Sequence, residues 1–274
     1  MTADSLMLGV NFTTPTNLEK IQSLHSENRI GFVEILIDNF LTCDPISIRK
    51  AFGEIPLAFH IMKSRFLEVD YATLKQIGRI LKNLINELKP IYISDHIAKF
   101  NCDGLPMPVL AEVDYTGNDH IAKKVSDWQE ILGVQIFFEN FPSAFPSEIP
   151  QPVFFEKLVR DCDCGLLFDL SNAIIAQNNA NVAIEAWSGI LSQTNHFHVG
   201  GYSPSTMNQN LWLDTHNCEL SPASKSAVTQ WVLNSGKPSQ KTLVIEYDHS
   251  IDFTKWKKDL DWARNASQVL RGAE

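Results

Sequence analysis

Histidine, aspartate and glutamate stand at the ends of short apolar runs along this chain. Phe59-His60, Ser94-Asp95-His96, Phe138-Glu139-Asn140, Phe168-Asp169-Leu170-Ser171-Asn172, His196-Phe197-His198 and Ile245-Glu246-Tyr247-Asp248 each close one, and Asp214-Thr215-His216 lies between the last two. A carboxylate at the end of a buried strand is costly unless it is paired or holds a metal. With 32 Asp and Glu and 8 His in 274 residues, one such ending is ordinary and reads as a satisfied core polar group. Six in succession point to a metal cluster.

The donor types narrow the metal. His60, His96, His198 and His216 bring neutral imidazoles, and Glu139, Asp169, Asp214 and Glu246 bring negative charge. The set contains no thiolate, which disfavours copper(I) and iron–sulfur clusters. These donors exceed the shell of a single ion and suit two or three divalent ions bridged by carboxylate. Mixed imidazole and carboxylate sites with open positions take Fe(II), Mn(II) or Zn(II), and spacing does not choose among them. Asp214-Thr215-His216 is expected to chelate from one side of an extended segment. Asp95, Asn140, Asn172 and Asp248 are either ligands or partners that fix histidine tautomers. His196 is expected to point away from His198 and to pack. His25 and His120 fall on helix surfaces, and Tyr202 and His249 on loops near the site.

Something must bring these endings together. Strand candidates are 6–11, 32–37, 56–61, 90–95, 134–139, 165–170, 195–200 and 242–247, each a near-continuous apolar run of the kind buried on both faces. Helical periodicity fills the intervals. It is clearest over 71–88, where Leu74, Ile77, Leu81, Leu84, Ile85 and Leu88 form one stripe between the N-cap candidate Asp70 and Pro90. Further helices are expected over 121–132, closed by Gly133, over 223–235, closed by Gly236, and over 253–270, capped by Asp252. Eight strands each followed by a helix predict an α/β protein, one (β/α)8 TIM barrel spanning 1–274 as a single domain. The longest connections, 97–118, 140–151 and 201–220, follow strands, at the barrel end where active sites are built.

Composition removes several classes of function. A net charge of −9 argues against a general nucleic-acid binder, which needs a basic face. No apolar run reaches the roughly 20 residues of a membrane span, and the start MTADSLMLGV lacks the basic flank of a secretory signal. A cytoplasmic protein is expected. Cys43, Cys102, Cys162, Cys164 and Cys218 are an odd set without C-x-x-C spacing, which fits reduced thiols better than disulfides. Cys162 and Cys164 read as buried small side chains before a strand, with a soft-metal pair as the lesser alternative.

Taken in order, these strand endings, with His198-Val199-Gly200-Gly201, resemble the multinuclear non-haem iron-dependent oxidative enzymes, barrel proteins that modify cysteines of ribosomally made precursor peptides. The match runs from about residue 8 to 262 and is nearest to the family's methanobactin-making branch. The resemblance implies a cluster of two or three irons in mixed Fe(II)/Fe(III) states with O2 as co-substrate. It implies a four-electron oxidation of cysteine to an oxazolone with an adjacent thioamide, on a cysteine-containing precursor peptide. It further implies a smaller partner protein that binds the leader peptide, in a heterodimer. Carried over by motif, His60, His96, Glu139, Asp169, His198, Asp214, His216 and Glu246 are iron ligands, with Asn172 and Asp248 as further candidates; Glu139, His96 and Asp214 are expected to carry the catalysis. Many relatives have Glu where Asp95 stands and His where Tyr202 stands, departures that bear on the product more than on metal binding.

The main rival is a trinuclear zinc phosphoesterase of the apurinic-endonuclease type, which shares a similar ligand order. That group has a histidine three residues after the sixth-strand aspartate, where this chain has Asn172, and a DNA-acting site needs Lys and Arg, of which the three long loops hold only Lys99. A two-metal sugar isomerase would want a lysine at a strand end. A barrel that binds metal or peptide without turnover is opposed by the completeness of the ligand set.

Overall fold

All eight apolar runs form strands, and each pairs in parallel with its neighbours in sequence until the last meets the first. In the computed structural model, which describes residues 6–234, 241–248 and 252–271, the strands are β1 (Met7–Phe12), β2 (Phe32–Leu36), β3 (Leu57–His60), β4 (Ile93–His96), β5 (Phe137–Glu139), β6 (Gly165–Asp169), β7 (His196–Gly200) and β8 (Thr242–Glu246). Registers such as His96↔Glu139 and Asp169↔His198 bring the strand endings level at one rim of the closed barrel.

The shell is α1 (Leu18–Ser26), α2 (Pro45–Phe52), α3 (Tyr71–Leu88), α4 (Asn118–Leu132), α5 (Gln151–Cys162), α6 (Leu170–Ala180), α7 (Ser188–Leu191), α8 (Pro222–Ala227) and α9 (Phe253–Arg271). α3 has the predicted bounds. Asp70 accepts from the amides of Ala72 and Thr73, both at 2.9 Å, a cap that contributes about 1 kcal/mol. α4 ends on the left-handed Gly133, and Asp252 accepts from Thr254 N ahead of α9. The helix expected over 223–235 begins as α8 but continues as a π-helical turn, Val228–Leu233; Gly236 and His249 lie outside the described residues.

β4 and β5 start later than predicted for identifiable reasons. Lys89 takes a left-handed conformation at the end of α3 and Pro90 has no N–H to give. The Ile136 amide donates to the Gln129 side chain of α4 at 2.9 Å and not to a strand. Two of the long loops also carry antiparallel hairpins, Ala98–Cys102 with Leu105–Glu112 and Tyr202–Pro204 with Trp212–Asp214.

Alternate residues of each strand face out to the helices or in to the barrel axis. The outward set, including Val10, Val33, Phe59, Ile93, Phe138, Phe168, Val199 and Ile245, packs with the buried Trp128, Trp187 and Trp256 in the main core. The inward set forms a second, smaller apolar cluster of Phe32, Ala58, Tyr92 and Val244, with Met7 and Phe137 against it. It is a tight plug: a Cβ on Gly165 would lie 2.1 Å from the Phe137 ring, so the large ring on β5 requires its small neighbour on β6. Cys164 is buried in the main core, with its thiol pushed up by burial, and Cys162 lies against the Ala122 carbonyl. Neither approaches the strand ends that carry the site.

Candidate metal centre

Above the aromatic plug the inward side chains become polar. Each candidate histidine has one ring nitrogen engaged, which fixes the other. His60 Nδ1 lies 2.8 Å from Ser94 Oγ, whose hydroxyl donates on to the Phe59 carbonyl at 3.3 Å, so His60 is the donor and presents Nε2. His96 gives Nδ1–H to the Ile61 carbonyl at 3.1 Å, and His216 gives its own to Asp248 Oδ2 at 2.9 Å. His198 is turned the other way: Nε2 donates to Glu34 at 3.1 Å, leaving Nδ1 for the cavity. A hydrogen bond behind the ring both sets the tautomer and raises ligand basicity.

The free nitrogens meet carboxylates in three groups. Glu139 Oε2 is 2.9 Å from His96 Nε2 and 3.6 Å from His60 Nε2. Its other oxygen is 3.8 Å from His198 Nδ1, which is 3.3 Å from Glu246 Oε1, and Asp169 completes this second group. Glu246 Oε2 is in turn 3.6 Å from His216 Nε2, itself 2.7 Å from Asp214 Oδ1. Glu139 and Glu246 therefore each reach two neighbouring groups with different oxygens. Asp169 Oδ2, Asn172 Oδ1, His198 Nδ1 and Glu246 Oε2 are buried without a hydrogen-bond partner, and Asp214 Oδ1 and His216 Nε2 face each other. Orphaned donors and acceptors at this density are expensive, and their convergence fits a set of cations.

The electrostatics follow from packing acids and imidazoles out of water. Burial opposes the charge of Glu139, yet the hydrogen bond from His96, with His198 and His60 nearby, holds its carboxyl well below the usual range. His96 suffers the same burial and is still pushed up to about 9 by Glu139. Asp169 is raised strongly, by burial first and then by the charges of Glu139, Asp214 and Glu246. Without cations, the cluster shares protons where ions would bind.

The loop carrying Asp214 and His216 is held at several points. Asn179 of α6 exchanges two hydrogen bonds of 2.9 Å with the backbone of Trp212, acting as an extra strand edge. The Gly201 carbonyl accepts from His216 N at 2.7 Å, and the His216 ring sits over Gly200, where a Cβ would lie 2.4 Å from it. The segment is not extended through His216, as expected from sequence; its φ of 45° is left-handed, and this bend brings the imidazole back onto Asp214. Asp259 of α9, fully buried, accepts from Leu220 N at 3.0 Å and Tyr247 OH at 2.9 Å and pairs with Lys225 Nζ at 3.0 Å. It thereby ties the end of this loop to the end of β8.

Among the supporting candidates, Asn172 donates to Glu139 Oε1 at 3.3 Å and to the Asn140 carbonyl at 3.0 Å, while its own oxygen stays in the cluster. Asn140 clamps the Asp169 backbone. Asp248, also held by Asn11 at 2.7 Å, backs His216. Asp95 points outward and accepts from the Trp128 indole at 2.8 Å, and Tyr202 hydrogen-bonds Ser221 at 2.9 Å. His196 corrects the sequence reading. It faces the barrel axis like His198, two residues on, but one layer lower, with ring centroids 4.3 Å from Tyr92 and 4.4 Å from Phe137. Glu34 on β2 is absent from the sequence-derived set. It is 1% exposed and receives both His198 Nε2–H and, at 2.7 Å, the Tyr92 hydroxyl.

The centre floors a cleft of about 440 Å³ lined by Leu36, Met62, Leu110, Phe141 and Pro142 on one side and Asn11, Thr13, Thr215 and Asn217 on the other. Among the described lining residues there is no Lys or Arg. No helix among the described residues is long and apolar enough to cross a membrane.

The family model described as RiPP precursor modification enzyme MbnB/TglH/ChrH matches residues 7–268. A UPF0276 protein of Psychromonas ingrahamii is 27% identical over 235 residues, 81% of each chain. Among solved structures, a xylose isomerase-like TIM barrel protein from Mycobacterium smegmatis in complex with magnesium superposes with a TM-score of 0.66 at 12% identity, covering 98% of this chain and 99% of that one. Endonuclease IV from Thermus thermophilus gives 0.56 at 11% identity, covering 98% and 100%. These two likenesses concern the fold alone.

Proposed function

Because this chain belongs to the MbnB/TglH/ChrH family of RiPP precursor modification enzymes, acting on ribosomally made and then modified peptides, we propose that it oxidises cysteine in such a precursor with a cluster of two or three irons and O2. The observation that carries the reading is the linked set of three donor groups, joined by Glu139 and Glu246 and full of buried atoms that lack partners. His60, His96 and Glu139 would hold one ion, Glu139, Asp169, His198 and Glu246 a second, and Glu246, Asp214 and His216 a third, with Asn172 Oδ1 able to join the second. Bound iron supplies electron transfer to O2 and a Lewis-acidic seat for a thiolate.

The protein's own residues hold that chemistry in place. Ser94, the Ile61 carbonyl, Glu34 and Asp248 keep four imidazoles in the tautomers that face the cavity. Glu34 and Asp248 add two carboxylates behind the ligands, so the protein's negative charge better matches a three-ion cluster. The plug beneath the centre excludes water from below, and the neutral cleft walls leave the approach to an uncharged peptide. The product, an oxazolone with a neighbouring thioamide, and the smaller leader-binding partner in a heterodimer follow from the resemblance described above, while a cytoplasmic location rests on the odd set of cysteines, which suits a reducing compartment.

Iron and zinc quantified together in anaerobically purified protein, with Mössbauer spectra on enriched iron, test the proposal. Two or more irons per chain, some oxidised, are expected. Stoichiometric zinc without iron, from cells supplied with both, would overturn it in favour of the zinc phosphoesterase, a reading that the absence of basic side chains on the described cleft wall disfavours.

A further inference from the structure

The cleft above the metal centre has two unlike walls. Leu36 ends β2, Met62 follows β3, Leu110 lies in the hairpin after β4, and Phe141 and Pro142 follow β5. In a closed barrel these four strands are consecutive neighbours, so the five side chains form one continuous apolar side. Across from it, Asn11 near the end of β1 is held by Asp248 and Tyr247 N and Thr215 by the Gly201 carbonyl, while Thr13 after β1 and Asn217 in the loop after β7 offer a hydroxyl and an amide. The charged groups on the described lining are carboxylates and the imidazoles of the centre.

The apolar side is built rigid. Glu68 accepts from the amides of Phe100 and Asn101, at 3.0 and 2.9 Å, and from the Asn101 side chain at 2.9 Å, fastening one strand of the hairpin. Glu112, two residues beyond Leu110, accepts from Ser143 Oγ at 2.5 Å, and Gln151 donates to the same hydroxyl at 2.6 Å, fastening the other strand to the loop after β5. Leu110 thus stands between two anchors, and the wall needs no reordering to receive a ligand.

We propose that this wall is a specificity subsite: Leu36, Met62, Leu110, Phe141 and Pro142 take an apolar side chain flanking the reacting cysteine of an extended peptide, whose backbone faces the amide side. The inference deepens the reading under Proposed function and rests on its assignment of a peptide substrate. An acidic flanking residue is excluded, since it would lose its hydration against hydrocarbon and face the carboxylates of the floor.

The test separates recognition from chemistry by using iron-loaded protein kept anaerobic and fluorescein-labelled glycine-flanked peptides of the form X-Ser-X, in which serine replaces the cysteine and X is Leu, Ala or Asp on both sides. Anisotropy titration is expected to give the Leu peptide a Kd about tenfold or more below that of the Ala peptide, with the Asp peptide weaker still. Leu110→Asn, and independently Met62→Asn, should erase most of the Leu preference while leaving circular dichroism and iron stoichiometry unchanged. Equal affinities across the series, or no binding of any member at millimolar concentration, would overturn the subsite. A retained Leu preference in a protein that never oxidises the matching cysteine peptide would leave the subsite standing and overturn the proposed reaction instead.

Discussion

His196 and His198 sit two residues apart on β7, on the same face, and do opposite things. His196, half-buried, lies in the lower layer between the Tyr92 and Phe137 rings with its Nδ1 2.9 Å from Thr242 Oγ1; burial lowers its pKa to about 4. His198, one layer up, is fully buried, but Glu246 and Glu34 push its pKa well above the ordinary value. The two layers of one barrel therefore present the same residue as a neutral packing element and as an ion-facing donor. Carboxylates within reach, more than depth of burial, decide which.

The most severe way to break the contrast is to remove the carboxylate that reaches two donor groups. Glu139→Ala should abolish bound iron and turnover together, exceeding the roughly 100-fold loss typical of removing a partner behind a ligand; metal analysis and product mass spectrometry check it, and retained iron would refute the site. Glu34 provides a graded break. Glu34→Leu should weaken metal binding about 100-fold and Glu34→Gln about tenfold, because the amide still accepts from His198 Nε2 but has lost its charge; competitive chelator titration reads both.

A third prediction concerns pH. Because His96 holds a proton up to about pH 9 in the metal-free site, an incoming ion must displace it. Apparent metal affinity should rise as pH increases from about 6 towards 9, with proton release in calorimetry across buffers of different ionisation heat. A flat affinity over that window would contradict the shared-proton picture. The smallest effect belongs to the lower layer. The folded pKa of His196, about 4, is below the ordinary 6.5, so the unfolded state binds the extra proton and this residue's share of stability falls as pH drops from about 6.5 to 4. His196→Phe should remove roughly 2–4 kcal/mol of that pH-dependent loss while leaving iron content near normal, as denaturant unfolding at both ends of the window would show.

The grouping of the candidate ligands was largely legible because they stand at strand ends, where registers such as His96↔Glu139 make sequence position a proxy for height in the barrel. Glu34 was hidden because it interrupts the apolar run FVEILI from within and not at its end. The available signal was its cost: a lone carboxylate inside a doubly buried strand demands a partner. The orientations of Asp95 and His196 follow from the two-residue strand period, which places Ser94 and His96 inward with Asp95 outward, and His196 on the same side as His198. The hairpin at 98–112 could not be read from local pattern, since its Pro- and Gly-containing segments look like loop and its anchors, Glu68, Ser143 and Gln151, are distant in sequence.

The buried Asp259 has a consequence for the order in which the molecule is made. Its Oδ2 accepts from both Leu220 and Tyr247, and it lies on α9, which follows every other described element in the chain. During vectorial synthesis the segment bearing Asp214 and His216, and the β8 end bearing Glu246, are complete before this fastening reaches them. The group around His60, His96 and Glu139 needs only the first five strands. Synthesis thus supplies the residues of the first donor group early and the fastening of the third last, through a helix whose Asp259 touches no donor directly.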